Sequence, residues 1–165
     1  MVTGPMDAGG LTTCLWFDGR AEEAANHYVS IFKDSRLGGV MRTTAAHDGA
    51  AGAVLTVEFE INGQKFLGLN GGPRFTFNES VSFMIHCADQ DEVDHYWYRL
   101  LEGGGEESQC GWLKDKFGVS WQVIPAGMYE LVGDPDPEKA ERATRAMFSM
   151  RKLDIAELRR AHAGT

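Results

Sequence analysis

The stretch Ala53-Val54-Leu55-Thr56-Val57-Glu58-Phe59-Glu60-Ile61-Asn62-Gly63-Gln64-Lys65-Phe66-Leu67-Gly68-Leu69-Asn70 decides the fold. Ala53, Leu55, Val57, Phe59 and Ile61 alternate with Val54, Thr56, Glu58 and Glu60, the period-two pattern of a half-buried strand. Asn62-Gly63 follows at once; both residues tolerate positive φ, which is what a tight two-residue hairpin requires. The chain then returns as a second strand over 65–70. Glu58 faces either the concave side of such a sheet or the solvent, and the alternation alone does not choose.

Working outward, Leu11 to Phe17 is β-branched and aromatic and reads as a strand that Asp18-Gly19 ends. Ala21, Ala24, Ala25, Tyr28 and Phe32 recur at helical spacing, with Asp18 a candidate cap and Lys33 suited to the C-terminal end. A strand is expected at about 36–46. This half is therefore strand, helix and three strands. After a linker from Gly71-Gly72-Pro73 to Ser80 the pattern restarts. Val81 to Cys87 reads as a strand, and Asp89 opens a helix with the stripe Val93, Tyr96, Trp97, Leu100 and Leu101, which Gly103-Gly104-Gly105 stops. Short strands are expected near 106–110, 112–116 and 119–124, with a turn at Phe117-Gly118. An offset of 69 lays Tyr28 over Trp97 and Glu23 over Glu92, so the order of elements repeats.

The expected fold is α+β: two βαβββ modules forming a cupped mixed sheet with helices outside, the halves at 11–71 and 81–125 within one body at 11–126. Residues 1–10 read as a flexible tail. Residues 127–165 read as a helical appendage, with Asp136-Pro137 starting one helix and Asp154 with Glu157 starting another that ends near Gly164. Two such helices do not stay folded alone, so they are expected to pack on the body or on a partner chain.

The 16 Lys and Arg against 24 Asp and Glu give a net charge of -8, a field that repels nucleic-acid backbones and anionic membranes. Neither is an expected partner. Cys14, Cys87 and Cys110 form no paired framework, and MVTGPMDAGG has neither a basic nor an apolar leader region, so a cytoplasmic location is expected.

Several segments together resemble a known group: Trp16-Phe17-Asp18-Gly19 with Ala21-Glu22-Glu23-Ala24; Leu69-Asn70-Gly71-Gly72-Pro73 with Phe75, Phe77 and Asn78; and Gln109-Cys110-Gly111-Trp112-Leu113-Lys114-Asp115-Lys116-Phe117-Gly118-Val119-Ser120-Trp121-Gln122. The tail Asp134-Pro135-Asp136-Pro137 and 150–155 add to the likeness. The chain resembles the vicinal oxygen chelate superfamily, which includes glyoxalases, extradiol dioxygenases and bleomycin-resistance proteins. More closely it is similar to the PhnB-like group, often labelled 3-demethylubiquinone-9 3-methyltransferase. The resemblance implies a pocket in the cup and a homodimer, with the halves free to exchange strands across chains. It also implies four ligand positions in the superfamily's metal enzymes, which fall here on Thr13, Gly68, Ser82 and Gln122. Only Gln122 offers a ligand, and a catalytic first-row metal generally wants three good ones. No metal and no other cofactor is therefore expected. For the methyltransferase label, none of the glycine clusters opens a helix after a strand as a nucleotide-type cofactor turn would.

The expected pocket lining is Thr13, Leu15, Gly68, Ser82, Met84, His86, Gln122, Ile124 and Trp112. His86 shares a face with Met84 and Ser82 and is either a general base or a strand-end histidine bonded to backbone. Cys110 reads as a reactive thiol or a packed hinge residue, and Lys114-Asp115-Lys116 as an anion contact or a solvated hairpin. The expected function is binding of a small organic molecule in the cup. A metal-dependent enzyme and a methyltransferase stand as alternatives.

Overall fold

A computed structural model describes residues 10–47, 49 and 51–165; the expected tail lies almost wholly outside the described residues. The chain forms two compact units, one up to Thr76 and one from Phe77 onward. The first carries β1 (Thr13–Phe17), α1 (Ala21–Ile31), β2 (Ser35–Arg42), β3 (Val54–Ile61) and β4 (Gln64–Asn70). The second repeats the plan with β5 (Ser82–Cys87), α2 (Gln90–Leu101), β6 (Glu106–Glu107), β7 (Trp112–Lys114) and β8 (Ser120–Pro125), then adds α3 (Met128–Val132), α4 (Pro137–Ser149) and α5 (Ile155–Ala163). Each unit holds a four-stranded mixed sheet, ordered β1-β4-β3-β2 and β5-β8-β7-β6. The α+β plan of two βαβββ modules is thus the observed one.

In the first unit the hairpin is built as its sequence requires. Asn62 and Gly63 have φ of 48° and 77°, and β3 pairs with β4 from Ile61↔Gln64 to Thr56↔Leu69. Three alanines, Ala21, Ala24 and Ala25, bring α1 close to the sheet, where Tyr28, Phe59 and Phe66 pack; the last two rings stack at 5.1 Å. Asp18 does not cap α1, because Arg20 occupies the cap position and offers no side-chain bond. The Ala21 N–H instead donates to Asn70 Oδ1 at 2.9 Å, so the end of β4 caps the helix. Lys33 lies beyond the helix end at Phe32. The Asn70-Gly71-Gly72 motif also seats Trp16. A Cβ on Gly71 would sit 2.2 Å from the Trp16 ring, whose Nε1 donates to the Gly72 carbonyl at 2.8 Å. Strand β2 ends at Arg42, short of the expected 46. It is an edge strand, broken by a register shift between Leu37 and Val40 where Gly38 and Gly39 meet Glu58.

In the second unit Asp89 caps α2, its carboxylate accepting from the Glu92 N–H. Val93, Tyr96, Trp97 and Leu100 bury against the sheet side that carries Ile85, Leu113, Trp121 and Val123. Asp115 organises the β7–β8 turn: its buried carboxylate accepts from the N–H groups of Phe117 and Val119 and from Trp121 Nε1. The C-terminal helices are docked on this unit. Leu153 and Leu158 are fully buried with Ile124 and Met128. The consecutive N–H groups of Cys110 and Gly111 donate to the carbonyls of Met150 and Arg151. Gln90 and Asp94 of α2 hold Leu153, Ile155 and Lys152. The short α3 was not foreseen. Among the described residues, no helix is long and apolar enough to cross a membrane.

Candidate functional site on the second sheet

Residues paired across neighbouring strands share a face, and successive residues alternate. In the second unit the register joins Trp112, Gln122 and Met84 in one row, and Lys114, Ser120 and Ser82 in the next. Both rows lie on the face away from α2, together with His86. Met84 is 43% exposed and His86 is exposed; Ser82, Trp112 and Gln122 are half-buried. Gln122 Nε2 donates to Ser82 Oγ at 2.9 Å, linking the edge strand to its neighbour. Five of the nine expected lining residues, Ser82, Met84, His86, Trp112 and Gln122, therefore come together. Ile124 shares their face but is buried with Leu153 and Leu158 beneath the C-terminal helices, so it is core and not lining.

The first unit departs from expectation. Gly68 pairs with Leu15 and Val57, and a Cβ on it would meet the Ala21 Cβ at 3.2 Å. Gly68 therefore faces α1. Leu15, 7% exposed, and Thr13, the partner of Phe66, lie on the same helix-facing side. The opposite side instead carries Cys14, Trp16, Leu67 and Leu69, with Thr56 and Glu58. The error is one residue. Strand β1 superposes on β5 with an offset of 70, Phe17 on Cys87, since each ends its strand and accepts from the residue after the partner strand. The helices superpose with an offset of 69, Ala21 on Gln90. The loop before α1 is one residue longer, and a one-residue slip turns every side chain of a strand over.

Of the four positions that the resemblance marks for ligands, Ser82 and Gln122 bond to each other, while Thr13 and Gly68 face α1. Among the described residues, no three His, Cys, Asp or Glu side chains converge. The three thiols are shifted away from the thiolate form. Desolvation pushes Cys14 and Cys110 above the usual thiol value, and desolvation with the charges of Glu92 and Asp89 pushes Cys87 up to about 12. Cys110 instead holds φ of 58° next to Gly111 at 83°, the bend that delivers both N–H groups to the 150–151 carbonyls. Phe75 packs edge-on to Trp16 at 4.9 Å, within the first unit. His27, His47, His95 and His162 contribute nothing to the face; His162 pairs with Asp134.

Two residues of this face stand outside the expected lining. Ser120 is the buried centre of the second row, and Glu79 reaches Lys114 at 2.5 Å from outside the strands. The alternation with Gln122 signals the first; no local pattern signals the second.

A family model described as 3-demethylubiquinone-9 3-methyltransferase matches residues 9–124. Among solved structures, the putative 3-demethylubiquinone-9 3-methyltransferase, PhnB protein, from Bacillus cereus is 34% identical, covers 70% of this chain and 98% of its own, and has a TM-score of 0.63. Protein PA1353 from Pseudomonas aeruginosa shares the fold at 18% identity, covering 70% and 96%, with a TM-score of 0.56. The fosfomycin resistance protein FosX from Listeria monocytogenes matches at 14% identity over 73% and 95%, with a TM-score of 0.48. No curated protein matches the sequence.

Proposed function

The chain belongs to the 3-demethylubiquinone-9 3-methyltransferase (PhnB-like) family of the vicinal oxygen chelate superfamily, and on that premise we propose that the second sheet's face opposite α2 binds a small organic molecule without a resident divalent metal. One observation carries this reading: the Gln122–Ser82 hydrogen bond is flanked by exposed Met84 and His86 and half-buried Trp112. An amide and a hydroxyl give direction, while thioether and indole give contact area, the mixture that small-molecule sites use. His86, on the same face, is the position for general-base work if the bound molecule is turned over. Sequestration needs no base. Methyl transfer would need a bound methyl donor, and neither unit offers a glycine-rich cofactor turn between a strand and its helix.

The test is a thermal-shift screen of small organic compounds on the whole protein. Hits should lose their effect in Gln122→Leu and keep it in Cys14→Ser; hits indifferent to Gln122→Leu and Met84→Ala would place binding elsewhere. Stoichiometric zinc, nickel or iron in the purified protein would overturn the metal-free part. Heat on titration with S-adenosylmethionine would restore the methyltransferase reading. We further propose a cytoplasmic homodimer: the three cysteines are free, as a reducing compartment requires, and sedimentation velocity checks the assembly.

A further inference from the structure

Ser120 is 1% exposed, and its Oγ has no hydrogen-bond partner among the described residues. Burying a hydroxyl without a partner opposes folding, so such a group calls for an explanation. Its neighbours supply one. Ser120 lies on β8, between Ser82 on β5 and Lys114 on β7, and all three share the face away from α2. Glu79, just ahead of β5, joins its carboxylate to the Lys114 ammonium at 2.5 Å. Glu79 thus reaches the β7 end of the row that holds Ser120. The segment that carries Glu79 also runs beside the β7–β8 turn, where a Cβ on Gly118 would meet Phe77.

The row therefore presents donors to a carboxylate. Lys114 is cationic, and Glu79, with Glu106 on the neighbouring strand β6, raises its pKa. Ser82 Oγ accepts from Gln122, which leaves its own hydrogen to donate, and Ser120 has both roles open. The neighbouring row of Trp112, Gln122 and Met84 lies two residues along, roughly 7 Å away, and supplies an indole and a thioether. Head and body positions thus stand side by side.

We propose that the row Lys114–Ser120–Ser82 is a carboxylate-binding position whose lysine is held by Glu79 in this structure, and that the molecule bound on this face is an aromatic carboxylate whose acid group displaces Glu79 from Lys114 while its ring rests on Trp112 and Met84. The inference rests on the reading of this face as the binding face. Displacement is feasible because the pair is exposed, 38% at Lys114 and 57% at Glu79, and such pairs are weak.

Calorimetry on the full chain with 2-naphthoate, and with naphthalene-2-carboxamide as its uncharged counterpart, tests the assignment. Glu79→Gln removes the internal competitor and should tighten 2-naphthoate about threefold. Lys114→Met should weaken it about tenfold or more, with little effect on the carboxamide. Ser120→Ala should weaken it about fivefold yet raise the unfolding midpoint by about 2–4 °C, since no bond in the free protein is lost. Weaker binding in Glu79→Gln, unchanged binding in Lys114→Met, or a lowered midpoint in Ser120→Ala overturns the proposal. If Lys114→Met is silent while Gln122→Leu abolishes carboxamide binding, the face stands and the carboxylate position falls. If neither compound binds, or Gln122→Leu is silent for both, both readings fall.

Discussion

The two units place a strand, a helix and three strands in the same order, yet they join the first strand to its helix differently. Three residues, 18–20, connect β1 to α1, whereas two, 88–89, connect β5 to α2. The shorter loop caps its helix with its own Asp89; the longer one leaves that role to Asn70, 49 residues away. The same added residue separates helix offset from strand offset, so a repeat aligned on the helices reads the second sheet's faces correctly and inverts those of the first. Internal duplication fixes the order of elements more firmly than it fixes which side chains look outward. A second contrast is that the latter unit alone carries docked helices over one end of its sheet, through Leu153 and Leu158.

The sharpest way to break this contrast is Leu153→Ala. A fully buried leucine at the centre of the docked cluster should cost about 3 kcal/mol of unfolding free energy, measured by denaturant titration. A change under about 1 kcal/mol would mean that the helices are loosely held. Next is Gly68→Val, which should destabilise by about 2 kcal/mol because the new side chain drives into Ala21. Tolerance of valine there would return Gly68 to the open face. The two capping solutions come third. Asn70→Ala removes both the acceptor for Ala21 and the donor to the Val54 carbonyl, and should cost about 2 kcal/mol against about 1 for Asp89→Ala. Equal costs would deny the long-range cap its second function.

The smallest effect concerns pH. The hydrogen bond from Lys152 holds the Asp94 carboxyl below its ordinary 3.8, against a burial effect in the other direction and with help from Gln90. The folded state therefore prefers the charged form. This contribution is present above the ordinary carboxylate value and fades as pH falls through the lowered one. Asp94 is 41% exposed, so Lys152→Met should remove only about 0.5 kcal/mol at pH 7 and flatten the midpoint's acid-side decline below about pH 4. An unchanged acid limb would take Lys152 out of the docking of the C-terminal segment.

What was legible in the sequence depended on how local its cause was. The Asn62-Gly63 turn, the Asp136-Pro137 helix start and the Asp154 cap are each set by residues within four positions, and each formed as read. The polar face of the second sheet followed from period-two alternation in β5 and β8. Thr13, Leu15 and Gly68 failed because loop length is not a periodic signal, and Gly68 has no side chain to reveal its side. Ile124 obeyed the alternation but was claimed by helices that begin four or more residues later in the chain. Asn70 as a cap and Glu79 on Lys114 are pairings between distant segments, and no spacing rule announces them.

The break in β2 bears on how this chain behaves at high concentration. A strand on the rim of a sheet, with Leu37, Val40 and Met41 all about half exposed, invites another chain to add to it. Gly38 and Gly39 interrupt the ladder in its middle, and Arg36 and Arg42 charge its ends. Nothing larger than glycine fits at 38, where a Cβ would lie 2.8 Å from that of Glu58. Two residues with no side chain thus interrupt the edge that another chain would need for an unbroken ladder, and a continuous strand there would present a longer row of free backbone groups.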